Sequence, residues 1–191
     1  MKITPLLLVF VPFLLIGCGK FEKSTAVKHL SYYKVDSLLD AQIKYLSSHH
    51  AQLQKKTDSE EVLMNMDSIQ WVSALSVFRI MDINNPSLKD AYTVRDQLKD
   101  SASNLTILHY QLKEGHEQQP LKELSFYYLG TIQSLKKITA KTSFQRVIYN
   151  SHNEFEQSQK QTALRAYSII ATQKTMGRDS VKTIVDFQIH Y

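Results

Sequence analysis

Any chemistry in this chain would have to come from seven histidines, eighteen aspartates and glutamates and a single cysteine, and their spacing limits what that chemistry can be. His49 and His50 are the only close histidine pair. Adjacent helical positions project about 100° apart, so one metal ion could hardly take both. Neither a His-Glu-x-x-His nor a His-x-His arrangement occurs, so no metal or other cofactor is expected. Asp36-Ser37, Asp67-Ser68 and Asp179-Ser180 set serine beside aspartate. A triad also needs a histidine delivered by the fold, and there is no Gly-x-Ser-x-Gly elbow, so these pairs read as helix caps and turns. Of five glycines, Gly17 and Gly19 flank Cys18, and the remainder cannot assemble a phosphate loop. The chain reads as a non-enzyme.

Cys18 is the one reactive group with a specific setting. Lys2 supplies a positive start, Leu6 to Ile16 is apolar, and Leu15-Ile16-Gly17 places a small residue directly before the cysteine. The apolar run is too short for a membrane span of about 20 residues and fits a signal h-region of about 7–15. The pattern is a lipobox and resembles the signal of bacterial lipoproteins. That resemblance implies that the Cys18 thiol is diacylated, that the chain is cut in front of it, and that Cys18 becomes the N-terminus. Residues 1–17 are then a signal peptide and residues 18–26, polar and short, a lipidated tether. Acylation also accounts for an exported chain with one leftover thiol. Gly19-Lys20-Phe21-Glu22 is neither an Asp-led retention signal nor an acidic export tract. The expected location is the cell envelope, at the outer membrane and facing the periplasm.

Loss of residues 1–17 leaves 174 of the 191 residues and removes only Lys2 from the charges, so 22 Lys+Arg face 18 Asp+Glu, a formal +4. That length suits one domain, expected over residues 27–191. A mild, scattered positive charge is compatible with anionic lipid nearby. It lacks the basic runs and aromatic motifs of nucleic-acid binding, and no nucleic-acid partner is expected. With no second cysteine, burial must carry stability.

The elements follow from periodicity. Val35, Leu38, Leu39, Ile43, Leu46 and Leu53 recur at three- and four-residue spacing, which predicts an amphipathic helix over about Tyr32–Leu53 with Ser31 as its N-cap. Gln54–Met66 fits two readings. Thr57-Asp58-Ser59 with alternating Val62, Met64 and Met66 suggests a hairpin, while its Glu, Leu and Met content suits a second helix. Asp67 and Gln70 have the spacing of a capping box and start a helix. Its Trp71, Ala74, Leu75, Phe78 and Met81 share one face, with Ile69, Val77 and Ile80 on another, which predicts a core helix. Asn84-Asn85-Pro86 stops it.

Ser87–Leu98 reads as one more short helix, and beyond Ser103 the period becomes two. Strands are predicted over Leu105–Lys113, Leu121–Leu129, Thr131–Lys141, Asn153–Gln159, Ala163–Gln173 and Val181–Tyr191. In the Ala163 segment, Leu164, Ala166 and Ile170 oppose Tyr167, Ile169 and Ala171, so it should lie near the sheet centre. Helices followed by strands with short polar loops predict an α+β fold, with N-terminal helices packed on one face of an antiparallel β-meander sheet. The DSLLDAQ run at Asp36–Gln42, the DSIQW run at Asp67–Trp71 and the strand-rich C-terminus are similar to single-domain lipoproteins of Bacteroidota-type bacteria. That resemblance brings no activity with it.

Aromatic pairs are the last feature, Tyr32-Tyr33 and Phe126-Tyr127-Tyr128, with Tyr127 expected across the sheet from its neighbours. The functional expectation is a membrane-anchored, non-catalytic binding or assembly lipoprotein. Its partners would be the membrane through lipid on Cys18 and an envelope protein. The alternative is a carrier holding a lipid between helices and sheet.

Overall fold

The computed structural model describes residues 32–191 apart from 89, 147–148 and 161–162. The expected signal, tether, Cys18 and Ser31 lie outside the described residues. Helix α1, Val35–Ser48, buries Val35, Leu39, Gln42 and Leu46. It ends earlier than the predicted Leu53. His50 takes a positive φ of 49°, and Leu53 already belongs to the next element. Gln52–Lys56 (β1) and Glu61–Asn65 (β2) form a hairpin, which settles the ambiguity over Gln54–Met66. Its turn is closed by Thr57, whose N–H reaches the Glu60 carbonyl at 2.8 Å.

The capping box is present: Asp67 accepts from the Gln70 N–H at 2.8 Å, and Gln70 Oε1 accepts from the Asp67 N–H at 2.9 Å. It opens α2, Ser68–Leu75, which tightens into a 3₁₀ turn over Ser76–Met81. Trp71, Leu75, Phe78 and Met81 are fully buried, whereas Ile69 is 79% exposed. The segment is therefore a core element along one face only.

Ser87–Leu98 is not a helix. A short 3₁₀ turn, Pro86–Leu88, leads into β3, Tyr92–Lys99. Gln97 sits at φ 58° in a bulge between Arg95 and Leu98. The extra residue shifts the strand's phase, so that Leu98 falls opposite Ile107 while Val94 falls opposite Tyr110. The resulting apolar spacing imitates a helix.

Six further strands follow: Thr106–Leu112 (β4), Leu121–Tyr128 (β5), Leu135–Arg146 (β6), Tyr149–Lys160 (β7), Ala163–Thr175 (β8) and Val181–His190 (β9). All nine strands make one antiparallel sheet in the order β2-β1-β9-β8-β7-β6-β5-β4-β3. From β3 onward it is a meander, and the first hairpin joins it through β1 on β9. The α+β class is correct in its coarse form, a large antiparallel sheet with two helices. β8 lies one strand from the centre. A bulge at its start pairs Leu164 with Gln159 and Ala166 with Ser158, leaving Arg165 unpaired. Leu164 is therefore buried on the side of Tyr167, opposite to the side expected from simple alternation.

The core forms where Phe78 meets Phe155 and Tyr167 edge-on, at ring distances of 5.9 and 5.2 Å. Tyr33 meets Phe126 at 4.7 Å, and Tyr110 meets Phe126 at 5.9 Å. Each of the buried rings among these, Phe78, Tyr110, Phe126, Phe155 and Tyr167, contributes roughly 1.5–3 kcal/mol by removal from water.

Candidate functional site

Strand alternation gives the sheet one buried side and one side that water reaches. On β7, Phe155, Gln157 and Gln159 are buried while Glu154, Glu156 and Ser158 alternate with them. The water-side residues of β1, β5, β6, β8 and β9 continue that surface, and two adjoining hollows open on it. The larger, about 430 Å³, is lined by Gln54, Lys56, Glu156, Ser158, Ser168 and Asp186 among others. The smaller, about 250 Å³, shares Glu156 and Ser168 and adds Glu123, Ser125, Thr139 and Lys141. Small side chains at Ser125, Thr139, Ser158, Ala166 and Ser168 leave the space, and longer charged ones edge it.

The edges are ordered by ion pairs. Lys141 Nζ lies 3.0 Å from Glu123 Oε2, and Lys137 Nζ lies 3.8 Å from Glu156 Oε2. The hydrogen bond to Glu123 raises the Lys141 ammonium above its ordinary pKa. Lys137 also stands over the Tyr127 ring, 4.5 Å from its centroid. Tyr127 is thus on the water side while Phe126 and Tyr128 are buried, as alternation requires. Asp186 and Glu156 pair across Ser168 from its two neighbouring strands. The surface can form hydrogen bonds and ion pairs with a polar partner along several strands.

One catalytic-looking contact was missed in the sequence because it joins neighbouring strands. His109 Nδ1 and Ser125 Oγ lie 2.8 Å apart, where β4 and β5 set the two residues opposite each other. A nucleophilic serine needs its histidine oriented by a third group and free N–H donors for the oxyanion. Among the described residues nothing bonds the far nitrogen of His109, and the N–H groups flanking Ser125 belong to a sheet ladder. The pair acts as a cross-strand hydrogen bond.

A third hollow is lined by residues of both α2 and the strands. About 380 Å³ in volume, it is lined by Gln70, Ser73 and Ala74 of α2, by Leu53, Lys55 and Met64, and by Met66, Tyr167, Ile169 and Phe187. Phe187 stacks on Tyr167 at 4.3 Å with the rings 19° apart. Most of this lining is apolar.

The remaining sequence candidates are dispersed. His49 stacks on Tyr45 at 3.9 Å and its Nδ1 lies 2.8 Å from the Tyr45 carbonyl. Asp67 caps α2, and Asp36 pairs with Arg79 at 3.0 Å. No group of three or more potential metal ligands occurs among the described residues. No helix among them is long and apolar enough to cross a membrane. No family model, curated protein or solved structure matches this chain.

Proposed function

We propose that this chain is a cell-envelope lipoprotein, acylated on Cys18 and held at the outer membrane facing the periplasm, whose domain works by non-catalytic binding of an envelope protein. In this reading α1 and α2 cover one side of the sheet and leave the other to the partner. The observation that carries it is the pair of adjoining hollows on the water side, edged by ordered ion pairs across neighbouring strands. Long paired strands make that surface stiff, so a partner binds with little ordering cost on this side. The lipobox supplies the anchor, and the short tether keeps the domain near the membrane.

The test uses the full-length chain in cells. Ser168→Arg fills the shared floor of both hollows without touching the buried side, and Cys18→Ser removes the acylated thiol. Protein crosslinks should be lost in the first variant with folding and anchoring intact. The second should stay unprocessed or leave the membrane fraction. Unchanged crosslinks, or normal anchoring of Cys18→Ser, would contradict the corresponding half of the proposal.

A second reading, a carrier of hydrophobic ligands, is favoured by the apolar hollow under α2. Its volume falls within the roughly 300–1,000 Å³ of small-molecule pockets.

A further inference from the structure

We infer that the hollow between α2 and the β2-β1-β9-β8 end of the sheet binds a free fatty acid, with the acyl chain along Met64, Ile169 and Phe187 and the carboxylate at Lys55. This names a ligand for the carrier reading and rests on it.

The lining provides the apolar half of such a site. Leu53, Met64, Met66, Ile169 and Phe187 form its wall, and on α2 the short side chains of Ser73 and Ala74 leave room above it. Two methionines suit a flexible chain, since unbranched thioethers repack around irregular apolar shapes. Four neighbouring strands contribute, which spans about 14 Å at the usual strand spacing. The run Ser68–Phe78 contains no charged residue, so nothing along it would repel an alkyl chain.

Lys55 supplies the other half and decides the sign of the head group. It is half-buried in this lining and makes no ion pair among the described residues. An ammonium without a carboxylate partner, at the edge of an apolar hollow, offers its charge to an anionic head group. The hairpin carboxylates do not serve. Glu61 is held by Gln54 on the water side, and Asp58 and Glu60 sit exposed in the turn. The cross-strand neighbours of Lys55 are Val62 and Phe187, both apolar. A carboxylate on an acyl chain meets both requirements at once.

The experiment labels purified full-length protein, in mild detergent, with hexadecanoic acid bearing a diazirine near its carboxyl end, and in parallel with the methyl ester of that probe. Adducts are mapped by mass spectrometry. Adducts are expected on Met64, Met66 or Phe187, with the acid labelling about two- to fivefold more than the ester, the scale of one favourable ion pair near a surface. Lys55→Glu should remove that preference while leaving ester labelling unchanged. Ser73→Phe, at an exposed position on the rim, should abolish labelling by both probes with an unchanged melting curve. Equal labelling by acid and ester, insensitive to Lys55→Glu, would overturn the fatty-acid assignment and leave the carrier reading standing. Labelling scattered over the surface, or none, would overturn both. Labelling seen only in Cys18→Ser would assign the hollow to the chain's own acyl groups and overturn the inference.

Discussion

Asp82 Oδ2 accepts the backbone N–H of Asp36 at 2.8 Å, so the first turn of α1 is capped by a side chain 46 positions away. The helix has no local substitute, because its N-cap residue Lys34 offers no side-chain bond. The same aspartate also takes the Asn84 N–H at 2.9 Å, which ties the end of the α2 segment to the start of α1.

Asp82→Ala should therefore destabilise the domain by about 1–2 kcal/mol, the upper part of the range for loss of a cap. Asp82→Asn should cost less than half of that, since an amide oxygen still accepts. Urea unfolding of both variants checks it. Equal losses would mean that charge, and not the acceptor, matters at this position.

Phe187 and Gln188 test the register of β9. Phe187 is half-buried against Tyr167, and Gln188 is exposed on the other side. Phe187→Ala should cost about 2–3 kcal/mol, below the 3–5 typical of a fully buried ring. Gln188→Ala should stay within about 0.5 kcal/mol. The same unfolding measurement separates the two, and comparable losses would place the strand in the wrong register.

How much of this was legible in the sequence depends on whether neighbours in the chain or neighbours in space decide each feature. The Asp67 to Gln70 capping box is local, and it was readable. So was the alternation that puts Val185 and Phe187 opposite Asp186 and Gln188. The bulges at Gln97 and Arg165 add one residue to a strand, which turned β3 into an apparent helix and put Leu164 on the wrong side. Ile69 looks like core by composition and is exposed because only one face of α2 meets the protein. The hollows were invisible for a further reason. Ser125, Ser158 and Ser168 are ordinary outer-face residues until sheet order sets them side by side with charged residues around them.

Alkaline pH should unfold the domain through its buried tyrosines. Burial pushes Tyr92 and Tyr110 from about 10 to about 12. Tyr92 also donates its hydroxyl proton to the Leu121 carbonyl at 3.1 Å. A pKa raised on folding means that the folded state holds its proton more tightly, so the stabilisation is complete below about pH 10 and is lost as pH climbs toward 12. Stability from urea titrations should be level from neutral pH to about 10 and then fall steeply. Tyr92→Phe should flatten part of that fall. A decline beginning well below pH 10 would contradict this assignment.

The central claim, that an anchored domain offers the water side of its sheet to a protein partner, is tested most directly by placing a photoreactive amino acid at Gln188, an exposed residue lining the larger hollow, in the full-length chain in cells. Glu114, in the exposed β4–β5 loop, is the control position. One discrete protein adduct is expected from Gln188, none from Glu114, and loss of the adduct when Cys18→Ser is added. No discrete adduct from Gln188, or the same adducts from both positions, would contradict it.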